Sequence, residues 1–155
     1  MTFGVVIALI GAAMAVFVSG IGSSVGVSKA GRAAAGVLQE KPDLFGKVFL
    51  LQALPATQGI YGFLITILII SKMGVLSGDI VQLTTYEGWS YFAACMPVAF
   101  AGLFSGVYQG KLASSAILMV GKDPSLSARG MTMTALVETY AILGLLISVL
   151  MYIGL

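Results

Sequence analysis

The chain has 155 residues, 59% of them hydrophobic and 9% charged, with a net charge of +2. Soluble domains carry about 25% charged residues, so this composition excludes a water-exposed surface and makes lipid the solvent. The small net charge gives no footprint for nucleic acid; the lack of histidine removes the usual metal ligand and neutral-pH proton switch; and the lone Cys95 excludes an intrachain disulfide or a thiolate cluster.

A membrane-spanning helix needs about 20 apolar residues, and four runs qualify. The first extends from Phe3 to Ser28 and continues as a small-residue helix over Lys29–Leu38. No basic residue precedes it and it outlasts a signal-peptide core, so it reads as a true span. The turn Gln39-Glu40-Lys41-Pro42-Asp43 breaks it. The second run is Val48 to Ser71, closed by Lys72, and the polar stretch Ser77–Gly88 follows. The third starts at Trp89, an interfacial anchor type, and reaches Val120. After the turn Gly121-Lys122-Asp123-Pro124-Ser125, the fourth runs from Arg129 to Leu155. Helices one and three, at about 36 residues or roughly 54 Å, exceed a hydrocarbon core of about 30 Å. Their turn-side ends are therefore expected outside the bilayer.

Basic residues set the orientation. Lys29, Arg32, Lys41 and Lys47 flank the first turn, and Lys111, Lys122 and Arg129 the second, whereas only Lys72 lies at the opposite end. The positive-inside rule puts both hairpin turns in the cytoplasm, and both termini with the 74–88 loop outside.

The two halves repeat. A constant shift of 82 positions pairs Gly20 with Gly102, Ser23 with Ser105, Lys29 with Lys111, Pro42 with Pro124, Leu54 with Leu136, Thr57 with Thr139 and Gly62 with Gly144. Each half starts outside and turns in the cytoplasm, so the repeats are parallel, unlike those of inverted-repeat transporters. The expected organisation is a first hairpin over residues 1–73, an external connection over 74–88 and a second hairpin over 89–155. The fold class is all-α integral membrane: four transmembrane helices as two parallel fused hairpins.

Small residues crowd helix one (Gly11, Ala15, Ser19, Gly22, Gly26, Ala30) and helix three (Gly102, Gly106, Gly110). Such stripes let backbones approach closely. They suit either packing within one bundle or a narrow inner ring of many copies. The bulky Leu, Ile, Val, Phe and Tyr of helices two and four suit an outer, lipid-facing layer, and this division favours a homo-oligomeric ring.

Charge inside a span is costly and marks function. Glu138 follows Arg129 by nine residues, about 13 Å of helix, which places it near mid-bilayer. Gln58 and Gln109 reach a similar depth, with Thr57 beside Gln58 and Tyr61 one turn away. Pro55 removes an intrahelical bond and frees a carbonyl nearby. Carboxylate, amide, hydroxyl and carbonyl oxygens suit a hard cation. A proton would need only the carboxyl.

The stretches Leu54-Pro-Ala-Thr-Gln-Gly-Ile-Tyr-Gly62 and Leu136-Val-Glu-Thr-Tyr-Ala-Ile-Leu-Gly144 resemble the proteolipid, or c/K ring subunit, of V-type rotary ATPases over essentially the whole chain. In the duplicated form of that family the first hairpin lacks the carboxylate, as at Ala56 here. The resemblance extends to the sodium-carrying members. It implies Na⁺ held by Glu138, Gln109, Gln58, Thr57 and the Leu54 backbone carbonyl, with Tyr61 closing the site; Li⁺ would fit too. It also implies a non-catalytic, ion-translocating subunit in the cell membrane. Its expected partners are identical protomers, lipid, a membrane stator subunit with a basic residue, and a cytoplasmic central-stalk subunit. One site per four helices means fewer ions per turn and more driving force for each, which suits a pump. The alternatives are the same rotor carrying H⁺, and a small proton-coupled multidrug exporter; the exporter does not explain the parallel duplication or Ala56. A structural bundle or fusion-pore component is a further rival, which full activity of Glu138→Gln would favour.

The charge asymmetry makes a direct prediction. Cysteines placed at Lys41 or Lys122 are labelled by an impermeant thiol reagent only from the cytoplasm, and one at Ser77 only from outside. The opposite pattern overturns the topology.

Overall fold

The computed structural model describes residues 2–155. They form α1 (Phe3–Glu40), α2 (Phe45–Ala53), α3 (Thr57–Lys72), α4 (Thr85–Lys122) and α5 (Ser127–Ile153), with 3₁₀ turns at Pro42–Leu44, Leu54–Ala56 and Pro124–Leu126. α2 and α3 are two parts of one span. Among the described residues, four stretches are long and apolar enough to cross a membrane: Phe3–Glu40, Pro42–Lys72, Thr85–Lys122 and Pro124–Ile153. α1 and α4 each run for 38 residues, about 57 Å, so each overshoots the hydrocarbon core.

Local chemistry moves the helix ends from where hydropathy put them. α4 starts at Thr85, a turn before Trp89, because Thr84 and Glu87 make a capping box. The Glu87 N–H donates to Thr84 Oγ1 at 3.3 Å, and the Thr84 N–H donates to Glu87 Oε2 at 2.7 Å. Gln39 and Glu40, expected in the turn, belong to α1. At both hairpin turns a proline opens a 3₁₀ turn, where its missing N–H costs nothing. In the second turn Asp123 Oδ1 accepts from the Ser125 N–H at 2.9 Å, and hydrogen bonding to Ser125 holds this carboxyl below its ordinary range. Lysines cross from the first hairpin to the second: Lys41 Nζ donates to the Gly121 carbonyl at 2.6 Å, Lys47 Nζ to that of Pro124 at 3.1 Å, and Lys72 Nζ to that of Tyr152 at 3.1 Å.

α1 and α4 form the inner pair, α2–α3 packs on α1, and α5 packs on α4. The inner pair meets backbone to backbone. A Cβ on Gly22 would lie 2.6 Å from the Gly102 carbonyl and the Leu103 Cα, and one on Gly106 would lie 2.6 Å from the Gly22 carbonyl carbon. Within one chain the small-residue stripes thus join the two hairpins. The repeat is visible in space as well. A Cβ on Gly62 of α3 would strike Ala15 of α1, and one on Gly144 of α5 would strike Pro97 of α4, both pairs being related by the 82-residue shift.

Two apolar clusters fill the interior. One includes Val5, Ile65, Ile69, Met73, Cys95 and Val98; the other, towards the turns, includes Ala30, Val48, Leu51, Ala113, Ile117 and Val120. The polar side chains of the candidate site lie between them. α5 turns most of its bulk outward, with Leu136, Tyr140, Leu143, Leu146 and Leu150 all at least half exposed.

The α1–α4 contact predicts opposite effects for two like substitutions. Gly22→Ala forces the backbones apart and destabilises the isolated chain by about 1–3 kcal/mol. Gly36→Ala, where the added methyl meets nothing within 4 Å, stabilises it by roughly 0.5–1 kcal/mol through helix propensity. Denaturant titration of both variants in detergent checks the pair; equal effects would show that the inner contact does not govern stability.

Candidate functional site

The site begins with a break in a helix. Pro55 has no N–H, so the Leu51 carbonyl loses its donor and the chain tightens into the 3₁₀ turn Leu54–Ala56. Gly26 makes room for this on α1: a Cβ there would lie 2.7 Å from the Pro55 Cβ. The Leu54 carbonyl accepts the backbone N–H of Thr57 and also its hydroxyl, at 3.0 Å. Beyond the break, the Gly59 N–H donates to Ser23 Oγ on α1 at 2.8 Å. That bond pins the start of α3 to the inner layer. Three of its side chains, Thr57, Gln58 and Tyr61, occupy one turn of helix.

The other two elements meet α3 here. Tyr61 donates its hydroxyl to Glu138 Oε1. Gln109 Nε2, from α4, lies 3.4 Å from Glu138 Oε2 and donates to the Thr134 carbonyl at 3.2 Å. Gln58 Nε2 donates to Gln109 Oε1 at 2.5 Å and to Ser105 Oγ at 3.3 Å. Both glutamines are fully buried, while Glu138 and Tyr61 are half-buried.

The hydrogen-bond directions fix the amides. The Ser105 hydroxyl donates to the Val137 carbonyl at 3.0 Å, so its oxygen is left to accept. Gln58 must therefore turn its NH₂ towards Ser105 and Gln109, which sends Oε1 the other way. Gln58 Oε1 is buried and has no donor. An unmet buried acceptor costs about 1–3 kcal/mol. Thr57 has a related bias: its hydrogen goes to the Leu54 carbonyl, leaving the lone pairs of Oγ1 open.

Of the residues expected at the site, Glu138, Tyr61, Gln109 and Gln58 form one hydrogen-bonded chain across α3, α4 and α5. Leu54 and Thr57 are bonded to each other instead, Leu54 about one turn before Gln58 and Thr57 about one turn before Tyr61. Ser105, Thr134 and Ser23 also belong to the site's network, although spacing along the helices does not single them out. Each lies one turn from a residue it supports or bonds to its backbone, and the pairing of Ser23 with Ser105 under the 82-residue shift was the available signal. A half-buried carboxylate, one donorless amide oxygen and a hydroxyl with open lone pairs can take a proton or a small hard cation.

Residues 10–69 and 92–151 each match the family described as the ATP synthase C subunit. The chain is 42% identical to the V-type sodium ATPase subunit K of Enterococcus hirae, over 97% of this chain and 93% of that one. It is 39% identical to the A-type ATP synthase subunit K of Methanocaldococcus jannaschii, over 96% of this chain and 63% of that one. A more distant relative is the V-type proton ATPase subunit c′ of Candida glabrata, 23% identical over 91% of this chain and 84% of that one. The two matched segments coincide with the two hairpins of the fold. The chain belongs to the ATP synthase C subunit family, as a non-catalytic, duplicated-hairpin membrane rotor subunit of the V- and A-type rotary ATPases.

Proposed function

We propose that the cargo of this rotor subunit is Na⁺, one ion per chain, held at Glu138. The observation that carries the reading is the donorless, buried Gln58 Oε1 in the same hydrogen-bonded chain as a carboxylate whose own partners are donors, Tyr61 and Gln109. A cation there satisfies the amide oxygen and pairs the carboxylate at once. Thr57 Oγ1 and the Leu54 carbonyl supply further oxygens from the break in the helix. The similarity to a sodium ATPase subunit supports the same ion.

The mechanism follows from the cost of charge in lipid. Ion binding neutralises Glu138, so the loaded site can sweep past hydrocarbon. Tyr61 closes over the carboxylate and holds it towards Gln109. At the stator, a basic side chain competes for Glu138 and releases the ion. The hairpin turns face the cytoplasm and couple rotation to a central stalk, while both termini and the 74–88 loop lie outside. Residues 1–73 and 89–155 act as the two hairpins. Only the second carries an acid at this depth, since Ala56 stands at the position equivalent to Glu138.

Carbodiimides modify protonated carboxyls, which gives a direct test. Labelling of Glu138 is fast at low pH and slowed by added Na⁺, because the two cations compete for one group. Thr57→Ala or Gln109→Ala weakens the Na⁺ protection by about 1–3 kcal/mol, or roughly 5- to 150-fold in the Na⁺ concentration needed. Glu138→Gln abolishes labelling and ion transport together. The measurement is the labelling rate against Na⁺ at fixed pH. If millimolar Na⁺ leaves the rate unchanged while pH alone controls it, the cargo is H⁺ and the two glutamines are structural.

A further inference from the structure

The repeat relates α1 to α4 and α2–α3 to α5. Applied a second time, it carries α4 and α5 onto the α1 and α2–α3 of the next copy in the ring. Every contact between the two hairpins of one chain therefore has a counterpart between chains, 82 residues on. The site of one chain joins Gln58 and Tyr61 on α3 to Ser105 and Gln109 on α4 and to Glu138 on α5. Its counterpart joins Tyr140 and Leu143 of one copy to Ser23, Val27 and Ala56 of the next.

The volumes in this second set are complementary. Glu138 and Gln109 are replaced by the smaller Ala56 and Val27, while Gln58 is replaced by the larger Tyr140. The exposure is complementary too. Gln58 is fully buried, but Tyr140 is 69% exposed in the single chain and Leu143 is 56% exposed. A phenol that exposed, two residues from Glu138 and at the same membrane depth, faces hydrocarbon until a partner covers it. On the receiving side, the point equivalent to Gly102 is Gly20, where an added Cβ meets nothing within 4 Å.

We propose that Tyr140 of each copy plugs the acid-free counterpart of the ion site on its neighbour, lodging against Val27, Ala56 and Gly20 and placing its hydroxyl near Ser23. The partner is a second copy of this chain, and the surface continues the hairpin–hairpin interface already formed within one chain. The inner helices differ at this seam. α4 presents Phe104 and Tyr108, both more than half exposed, where α1 presents Gly22 and Gly26. Inner helices consequently stand further apart between copies than within one. Tyr140 acts as a packing plug, and the proposal rests on the repeat and on ring assembly, not on which ion is carried.

Within the chain, the Gln58 Cβ lies 3.6 Å from a Cβ built on Gly102. That separation is within the range of a disulfide. The counterpart pair is Tyr140 of one copy with Gly20 of the next. The experiment co-expresses two chains with tags of different mass, both carrying Cys95→Ala, one with Gly20→Cys and the other with Tyr140→Cys. Oxidation, or a short bifunctional thiol reagent, in native membranes is expected to give a cross-linked heterodimer that reductant dissolves. A chain carrying both cysteines is expected to give a ladder of multimers. Recovery of free thiols and monomers from a ring of normal native mass overturns the proposal, as does cross-linking confined to single chains. If the cysteines prevent assembly, Val27→Trp provides the second measurement. It fills the receiving space from a partly exposed face, so the chain inserts but its native mass falls below that of the ring. A full-sized ring of Val27→Trp chains overturns the plug.

Discussion

A carboxylate in the middle of a bilayer is the constraint on which the rest of this structure depends. Bare charge is costly there, so Glu138 has to be protected whenever it faces lipid. The chain meets this with donors and open oxygens drawn from three elements. Tyr61 and Gln109 bond the carboxylate, Gln58 orients Gln109, and Ser105 orients Gln58. Each member sets the direction of the next. The direction ends on a buried amide oxygen with no donor, the oxygen that the proposed cation would satisfy. A network built only to hold helices together would close on itself, since a half-satisfied buried network costs more than an apolar one.

Helix breaking and helix crowding serve that layer. Pro55 forces the 3₁₀ turn that brings Thr57, Gln58 and Tyr61 onto one turn of α3 and exposes the Leu54 carbonyl to a side-chain donor. The break fits only because Gly26 leaves space beside Pro55, and α1 meets α4 closely only because Gly22 and Gly106 lack side chains. The glycines set the distance between hairpins, and that distance lets α3 and α4 bond through Gln58 and Gln109. Packing and chemistry are in this sense one design. Widening the α1–α4 contact would open both apolar clusters, which join residues of these two helices, and would draw Gln58 away from Gln109.

Much of this was legible in the sequence because membranes simplify the code. A long apolar run can hardly be anything but a spanning helix, and one acid within such a run stands out. Glu138, Gln58 and Gln109 could be found by depth, and Tyr61 by its place one turn from Gln58, and the structure joins all four. Other features were less visible. Ser105 and Thr134 are small polar residues among many, and their importance lies in which way a hydroxyl or carbonyl points. The capping box that starts α4 at Thr85 is written in Thr84 and Glu87, but the hydropathy of Trp89 masked it. The glycine stripe was ambiguous for a physical reason. Small faces permit close approach without saying to whom, and here the closest partner is the other half of the same chain.

Duplication also explains why the two halves could diverge. While both hairpins carried the same residues, every seam around a ring would have been alike, and each acid would have needed its own full set of donors. With Ala56 at the position equivalent to Glu138, the first hairpin needs no amide on its inner helix, and Val27 stands where the second has Gln109. The outer helix of the second hairpin was freed in turn, so Tyr140 stands where the first has Gln58. The three changes compensate in volume only if they meet across the boundary between copies, because within one chain these positions belong to different contacts. The seam without an acid thus carries packing residues, while the seam that carries Glu138 keeps Gln58, Gln109 and Tyr61.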